Sequence, residues 1–193
     1  MLKVYYADVS ALDITEKMQS YFSESRLEKL RKSKNKKTCA GVEALLCYSV
    51  FGKPSYYYGK NGKPYFNNGE QFFSLSHSGC FVACAISDKP VGVDIQQVRA
   101  YKSVTAERIL TESENLILQN SPNKEKTFCS LWAKKEAVAK KNGGGMGEIL
   151  KGIHTDAQAL ELEDYCLAVC GEGEAEFIEV TAKEITDFFE GMN

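Results

Sequence analysis

The sequence lacks any apolar run that approaches the roughly 18 residues a membrane-spanning helix needs. It also lacks a signal-peptide pattern at its start, because Asp8 interrupts the first residues too early. Both absences argue against secretion and against a membrane protein. We therefore expect a cytoplasmic protein that has no membrane partner.

Histidine is scarce, with only two residues, and the seven cysteines are an odd number. An odd count argues against a secreted disulfide framework, so we expect reduced cysteines that pack as small apolar side chains. Cys80 and Cys84, like Cys166 and Cys170, are four residues apart in predicted strands, which separates their α-carbons by about 13 Å. One zinc ion cannot bind both members of either pair, and we expect no structural zinc site.

A broad excess of basic residues is also missing, since the formal net charge is -2. Basic residues are instead concentrated in one segment from Arg26 to Lys37, which holds seven of them against the single acid Glu28. A nucleic-acid-binding domain normally carries a wider basic footprint, so we expect no nucleic-acid partner. The segment is typical of a solvated helix face, and Arg26 with Lys29 could also clamp one phosphate.

The composition, with 44% hydrophobic residues, is that of a folded domain. Hydrophobic periodicity and turn residues predict alternating helices and strands in both halves of the chain. The Asn61-Gly62 dipeptide between aromatic flanks predicts a β-hairpin. The other predicted elements of the first half are a strand at Leu2–Ala7, helical segments at Asp13–Lys32 and Lys36–Phe51, and strands at Phe72–Ser76, Phe81–Ser87 and Val91–Val98.

The second half repeats this layout loosely. Its predicted elements are helical segments at Val104–Asn120 and Lys124–Lys141, closed by Gly143–Gly145, strands at Asp164–Cys170 and Ala175–Thr181, and a helix at Ala182–Glu190. Two hairpins are expected, one joining Phe81–Ser87 to Val91–Val98 and one joining the last two strands. We therefore predict an α+β fold of two similar halves, residues 1–98 and 99–193, each a small antiparallel sheet packed with helices.

The strand Val91–Gln96 alternates, so Asp94 and Gln96 share one face with Gly92. Such a face can hold a cation, although a half-buried strand with a solvated polar side gives the same pattern. In the helix that follows, Trp132, Glu136 and Lys140 are spaced by four residues and share one stripe. Glu136 and Lys140 alone would form an ordinary surface pair, but the tryptophan indicates that this stripe faces inward.

A histidine lies among hydroxyl groups in the segment Ser74–Gly79, at the end of a predicted strand. His77 there could bind a phosphate or be a hydrogen-bonded turn residue. A Ser/His hydrolytic pair is not expected, because sequence neighbours rarely adopt triad geometry and no nucleophile-elbow motif is present.

Five motifs in order resemble those of the 4'-phosphopantetheinyl transferases of the larger, Sfp type. They are the basic helix after Tyr21, Gly62-Lys63-Pro64, Leu75-Ser76-His77-Ser78, Gly92-Val93-Asp94-Ile95 and Trp132-Ala133-Lys134-Lys135-Glu136-Ala137. The resemblance implies two α+β halves related by a pseudo-twofold axis, with the active site in the cleft between them. It also implies a monomer, since both sides of the cleft lie in one chain.

The reaction implied by this resemblance uses coenzyme A and an apo acyl or peptidyl carrier protein. The carrier's serine hydroxyl attacks the β-phosphate of coenzyme A, giving holo carrier protein and 3',5'-ADP, with Mg²⁺ or Mn²⁺ as cofactor. By the same resemblance Asp94, Gln96 and Glu136 hold the metal, and Glu136, His77 and Lys140 are catalytic. The coenzyme A residues so implied are Arg26, Lys29, Lys37, Lys63, Pro64, Ser76, His77 and Lys140.

Gln96 departs from the family pattern, which often has an acid at this position. Two carboxylates then face the metal, and we expect weak Mg²⁺ binding until the diphosphate supplies further oxygens. Two other functions fit the same residues. One is a protein that binds coenzyme A or a carrier protein without transfer, and the other is a metal-dependent hydrolase of coenzyme A or nucleotides.

Overall fold

The computed structural model describes residues 1–144 and 156–192. The predicted Gly143–Gly145 cap lies partly outside these residues, since Gly145 is not among them. Gly143 ends the preceding helix in the left-handed conformation, at φ 71°. None of the described helices is long and apolar enough to cross a membrane.

The described elements follow the α+β order predicted from the sequence. The strands are β1 Leu2–Asp8, β2 Tyr56–Tyr58, β3 Pro64–Phe66, β4 Phe72–Ser78, β5 Phe81–Ser87, β6 Gly92–Gln97, β7 Gln158–Glu161, β8 Tyr165–Cys170 and β9 Ala175–Glu179. The helices are α1 Glu16–Ser20, α2 Glu24–Lys32, α3 Lys36–Ser49, α4 Ser103–Ile109, α5 Glu112–Asn120, α6 Lys124–Asn142 and α7 Ala182–Gly191.

Capping residues divide the two long helical segments that the sequence predicts. Ser23 caps α2 by accepting from the backbone N–H of Arg26, so Asp13–Lys32 becomes α1 and α2. Thr111 and Glu114 form a reciprocal capping box at the start of α5, so Val104–Asn120 becomes α4 and α5. Each cap satisfies backbone donors that a helix start leaves without intrahelical partners.

The Asn61-Gly62 hairpin is confirmed. Strands β2 and β3 pair antiparallel, with Tyr57 opposite Tyr65. Asn61 and Gly62 both have left-handed backbone angles, at φ 63° and 77°. Asparagine and glycine tolerate such angles better than other residues, which suits this dipeptide to the turn between Tyr58 and Pro64.

The two other predicted hairpins are wrong. β6 pairs with β8 rather than with β5, and β9 lies parallel to β1 rather than beside β8. Every residue of β8 is buried, so it is the central strand of the antiparallel sheet β6-β8-β7, with no edge left for β9. The second sheet has the order β4-β5-β1-β9 and is mixed.

Residues of β1 alternate between the two cores that flank the mixed sheet, as the strand period requires. Tyr5 and Ala7 join the core beneath α3 and α7, whereas Val4 and Tyr6 join the core shared with the three-stranded sheet. Helix α6 covers the far side of the three-stranded sheet, where Ala133 and Ala137 pack against β8. All seven cysteines are free, as predicted.

Candidate active site

Alternate serines of β4 hold β6 in place. The hydroxyls of Ser74, Ser76 and Ser78 accept the backbone N–H groups of Val93, Ile95 and Gln97 at 3.0, 3.2 and 3.0 Å. Residues i, i+2 and i+4 of a strand share one face, so the three hydroxyls form a single row. This row joins the two sheets and fixes the register of β6, and hence the position of Asp94.

Asp94 is 5% exposed and lies at the centre of a hydrogen-bond network. Its Oδ1 accepts from Ser76 Oγ at 2.7 Å and from Lys140 Nζ at 2.7 Å. Lys140 also donates to Ser76 Oγ and to the Val93 carbonyl, both at 3.0 Å. The Ser76 hydroxyl therefore uses its one proton and both lone pairs, which fixes its orientation.

The second carboxylate oxygen of Asp94, Oδ2, is buried and has no hydrogen-bond partner in the part of the chain that the structure describes. A buried carboxylate oxygen without a donor is costly, and such groups point to an ion or water that completes the site. Within residues 1–144 and 156–192, no cluster of three or more His, Cys, Asp or Glu residues surrounds a cation position. The Glu136 carboxylate and the Gln96 amide line the same cleft as Asp94 and offer further oxygen ligands to a cation.

Gly92 explains how strand β6 comes so close to helix α6. A Cβ atom at this position would lie 2.0 Å from the Ala137 carbonyl oxygen and 2.3 Å from the Lys141 nitrogen. Both are backbone atoms that cannot rotate away, so the close approach needs glycine. This approach brings Asp94 within reach of Lys140.

The stripe of α6 predicted from the sequence lines a cleft of about 410 Å³ together with Asp94, Gln96 and His77. Trp132, Glu136 and Lys140 all face this cleft. Lys140 pairs with Asp94 rather than with Glu136, so the surface-pair interpretation is wrong. Burial raises the pKa of Glu136, and the nearby Asp94 raises it further, while Lys140 acts in the opposite direction.

A second cavity of about 440 Å³ adjoins the first and shares Ser76, His77 and Lys140 with it. Its walls include four further residues implied by the resemblance, Arg26, Lys29, Lys63 and Pro64. Lys29 Nζ lies 4.7 Å from the ring centroid of Tyr58, within range of a cation–π contact. The cavity is therefore bordered by cations from α2, the hairpin and α6.

Lys37, Lys63 and His77 of the implied set differ in their surroundings. Lys37 is exposed, donates to the Ser10 carbonyl and lines neither cavity. Lys63 donates to the Lys141 carbonyl at the end of α6, so it also ties the hairpin to that helix. Desolvation lowers the pKa of His77, and the cations Lys140 and Arg26 lower it further, while Asp94 raises it.

Glu43 is a site residue that sequence reasoning missed. Its side chain is fully buried, and its Oε2 accepts from Arg26 Nε at 3.0 Å. Tyr56 donates its hydroxyl to the same carboxylate, at 3.0 and 2.9 Å from the two oxygens. Burial alone would lower the pKa of Arg26, but Glu43 acts together with Tyr56, Tyr58 and Cys39 in the opposite direction, and the pKa is raised.

Residues 90–180 match the model of the 4'-phosphopantetheinyl transferase superfamily. The matched segment includes Asp94, Gln96, Glu136 and Lys140. The chain is 33% identical over 137 residues to the 4'-phosphopantetheinyl transferase AcpT of Salmonella typhimurium, covering 65% of this chain and 71% of that protein.

Two further relatives match over a shorter stretch. The chain is 37% identical over 113 residues to the 4'-phosphopantetheinyl transferase psf-1 of Bacillus pumilus, covering 54% of this chain and 48% of that protein. It is 31% identical over 99 residues to the 4'-phosphopantetheinyl transferase Sfp of Bacillus subtilis, where the shares are 48% and 44%. The aligned part thus spans about half the length of psf-1 and Sfp. Taken with the arrangement of the cleft, these similarities show that the chain belongs to the 4'-phosphopantetheinyl transferase superfamily.

Proposed function

We propose that the protein transfers the 4'-phosphopantetheine group of coenzyme A to a serine hydroxyl of an apo acyl or peptidyl carrier protein and releases 3',5'-ADP. The observation that carries this proposal is the buried Asp94, whose second oxygen lacks a partner in the described residues and which lines a cleft together with Glu136 and Lys140. The adjoining cavity, bordered by cations, suits the phosphates of coenzyme A.

In this proposal the serine oxygen forms a bond to the β-phosphorus of coenzyme A while the bond from that phosphorus to the bridging oxygen breaks. The released group is 3',5'-ADP, and the serine proton passes to Glu136 directly or through a water. Lys140 and His77, which line both cavities, bind the phosphate oxygens where negative charge develops. Such positioned cations lower the barrier of phosphoryl transfer.

Asp94, Gln96 and Glu136 would hold a divalent cation, Mg²⁺ or Mn²⁺. The donor set fits, because hard oxygen ligands suit these ions and Asp94 Oδ2 has no hydrogen-bond donor in the described residues. A bound ion would offset the charge of the diphosphate. A Glu136→Gln protein should lose both metal affinity and turnover, and near-normal turnover in that variant would refute the assignment.

The nucleotide part of coenzyme A is assigned to the larger, cation-bordered cavity. Arg26 and Lys29 meet the 3'-phosphate there, and Lys63, Pro64 and Ser76 line the nucleotide site. Lys37 has the least support as a coenzyme A ligand, because its Nζ donates to the Ser10 carbonyl. Ser76 also has a structural role, because its hydroxyl joins β4 to β6 and contacts both Asp94 and Lys140.

The carrier protein is proposed to dock on the exposed side of α5. In the segment from Ile109 to Leu118, which runs from the end of α4 into α5, Leu116 and Ile117 are 65% and 57% exposed. Ile109, Leu110 and Leu118 are buried. Leu116→Asp and Ile117→Asp should raise the KM for the carrier protein and leave the affinity for coenzyme A unchanged. Unchanged carrier kinetics in both variants would exclude this surface.

We also propose that the halves 1–98 and 99–193 form a pseudo-twofold pair with the site between them, and that the protein acts as a cytoplasmic monomer without nucleic-acid partners. Two strands are exchanged across this division, because β6 pairs with β8 and β9 pairs with β1.

Incubation of an apo carrier protein with coenzyme A and Mg²⁺, followed by mass spectrometry, tests the proposal. A mass gain of one phosphopantetheine group on the carrier supports transfer. Breakdown of coenzyme A without a change in the carrier would mean a hydrolase. No change in either would favour a protein that binds coenzyme A or a carrier protein without transfer.

A further inference from the structure

Three buried carboxylates in the described chain each form an ion pair with a basic side chain. They are Glu43, Asp94 and Glu114. Glu43 and Asp94 both contact a cation that borders the nucleotide cavity, and Glu43 is the one that contacts Arg26. Its side chain is fully buried in α3, and the Arg26 side chain is 11% exposed. The two residues are 17 positions apart, so the pair is a tertiary contact between α2 and α3.

Arg26 is held by Glu43 through Nε. A guanidinium carries five N–H donors in a rigid plane, so fixing Nε also fixes the direction of the two Nη groups. Arg26 lines the nucleotide cavity and a neighbouring cavity of about 590 Å³ that also contains Lys29 and His77. The outer end of the guanidinium is therefore available to an anion in this region.

Tyr56 holds Glu43 in turn. Its hydroxyl lies 3.0 and 2.9 Å from the two carboxylate oxygens, and its ring packs edge-on against Tyr58 with centroids 5.7 Å apart. The Tyr58 ring is the one that faces Lys29 Nζ. A single chain of contacts thus runs from Arg26 through Glu43, Tyr56 and Tyr58 to Lys29, and it links α2, α3 and the hairpin.

We propose that Glu43, supported by Tyr56, is a positioning residue that aims Arg26 at the 3'-phosphate of coenzyme A and thereby sets the preference for coenzyme A over its 3'-dephosphorylated form. This inference rests on the proposed function, in which Arg26 meets that phosphate. Glu43 itself touches no substrate. Its negative charge opposes phosphate binding, so its contribution is the direction it imposes on Arg26.

Geometry and charge are separated by two substitutions. Glu43→Asp keeps the charge but shortens the side chain by one methylene group, so Arg26 has to move to stay paired. Glu43→Gln keeps the length, and its amide oxygen has two lone pairs for Arg26 Nε and the Tyr56 hydroxyl. If Glu43 acts by positioning Arg26, Glu43→Asp should weaken the preference for coenzyme A and Glu43→Gln should keep it.

The measurement is the ratio of the dissociation constants for dephospho-coenzyme A and coenzyme A, determined by calorimetry on the same sample of full chain. Residues that orient metal ligands are typically worth about 10- to 100-fold in affinity or activity, and by analogy Glu43→Asp should lower the ratio by about tenfold or more. Glu43→Gln should keep the ratio within about threefold of wild type. Glu114→Asp, which shortens a buried carboxylate remote from Arg26, is the matched control and should leave the ratio unchanged.

Arg26→Ala should lower the ratio at least as much as Glu43→Asp does, leaving the preference that Lys29 supplies. Glu43→Asp added to Arg26→Ala should lower the ratio no further, because residues that act through one contact are not additive. Where Glu43→Asp fails to fold, Tyr56→Phe serves instead, since it keeps both charges and removes only the hydroxyl that anchors the carboxylate. It should also lower the ratio.

An unchanged ratio in Glu43→Asp and Tyr56→Phe, or a further loss in the double variant, would overturn the inference. A ratio that rises in Glu43→Gln and stays constant in Glu43→Asp would also overturn it, because Glu43 would then act by charge alone. These outcomes require a wild type that prefers coenzyme A. A wild type that binds no coenzyme A would instead refute the proposed function.

Discussion

Helix α6 carries two ion pairs to buried carboxylates, and the pairs differ in what surrounds them. Lys140 pairs with Asp94 at 2.7 Å, and Lys135 pairs with Glu114 at 2.9 Å. Lys140 is 29% exposed at the cleft, whereas Lys135 is fully buried. Asp94 keeps one oxygen without a partner in the described residues, while Glu114 also accepts from the backbone N–H of Thr111 in a capping box.

The difference shows how one kind of interaction serves two purposes. The Glu114–Lys135 pair joins α5 to α6 and faces none of the cavities described above, so its role is structural. The Asp94–Lys140 pair lines a cleft and leaves Asp94 Oδ2 without a partner in the described residues, so it can bind a ligand. Removing one partner of the Glu114–Lys135 pair should therefore lower stability, whereas removing one partner of the Asp94–Lys140 pair should lower activity.

The largest expected effect is on stability. Glu114→Ala leaves the fully buried Lys135 without this carboxylate, and breaking a buried pair in this way typically costs about 3–5 kcal/mol. We expect a fall of that size in the free energy of unfolding, measured by urea denaturation. A fall of less than about 1 kcal/mol, the usual range of a surface pair, would show that this pair is not structural.

Gly92→Ala should affect the cleft more than the fold. The added Cβ would force β6 away from α6, because the atoms it meets belong to the helix backbone. A displacement of about 1 Å of a catalytic group can reduce turnover about 100-fold. We expect a loss of that order in the initial rate of carrier modification. Val93→Ala is the control, because it removes side-chain volume from the same strand without separating it from α6, and normal turnover in Gly92→Ala would contradict the account.

Gln96→Glu should strengthen metal binding by about tenfold or more, because affinity for hard cations rises with the number of carboxylates. Calorimetry with Mg²⁺ alone should show weak binding to the wild type and clear binding to the variant. Coenzyme A should reduce the difference by supplying phosphate oxygens. Strong Mg²⁺ binding to the wild type without coenzyme A would contradict a two-carboxylate site.

The smallest effect concerns the protonation of His77. Its pKa is below the usual value in the free protein, so it is neutral at pH 7, and a bound phosphate should raise that pKa. Coenzyme A binding should then take up a fraction of a proton. The affinity for coenzyme A should be greatest at pH values below the lowered His77 pKa of the free protein. It should fall as the pH rises through the higher His77 pKa of the complex.

Calorimetry in two buffers of different ionisation enthalpy, with chelator present to remove metal ions, measures this uptake. His77→Gln should abolish it, and Asn35→Ala, a variant near the same cavity but without a titrating group, should not. Proton release on binding, or uptake that persists in His77→Gln, would exclude His77 as the phosphate ligand.

Local patterns predicted the parts of the molecule that depend on local chemistry. The Asn61-Gly62 turn follows from backbone preference, and the shared stripe of Glu136 and Lys140 follows from helix geometry. Alternation along β6 placed Asp94 and Gln96 on one face, and both line the cleft. Neighbours within a few residues were sufficient in each case.

Pairings between distant segments were not predictable in this way. β9 lies beside β1, more than 170 residues away, and no turn signal reports such a contact. The continuous burial of β8 did have a signal, since Tyr165–Cys170 is an unbroken apolar run that is typical of a central strand. Glu43 had none, because one acid within the apolar helix α3 does not reveal its partner Arg26.

The most direct test of the account compares Asp94→Asn with Glu114→Gln in the mass-spectrometric transfer assay, with each rate divided by the folded fraction of the sample. Asp94→Asn should reduce transfer by about 100-fold or more, the upper range for loss of a group that supports a metal site. Glu114→Gln should stay within about threefold of wild type once unfolding is taken into account. Near-normal transfer by Asp94→Asn, or an equal loss in both variants, would contradict the assignment of the active site to the Asp94–Lys140 pair.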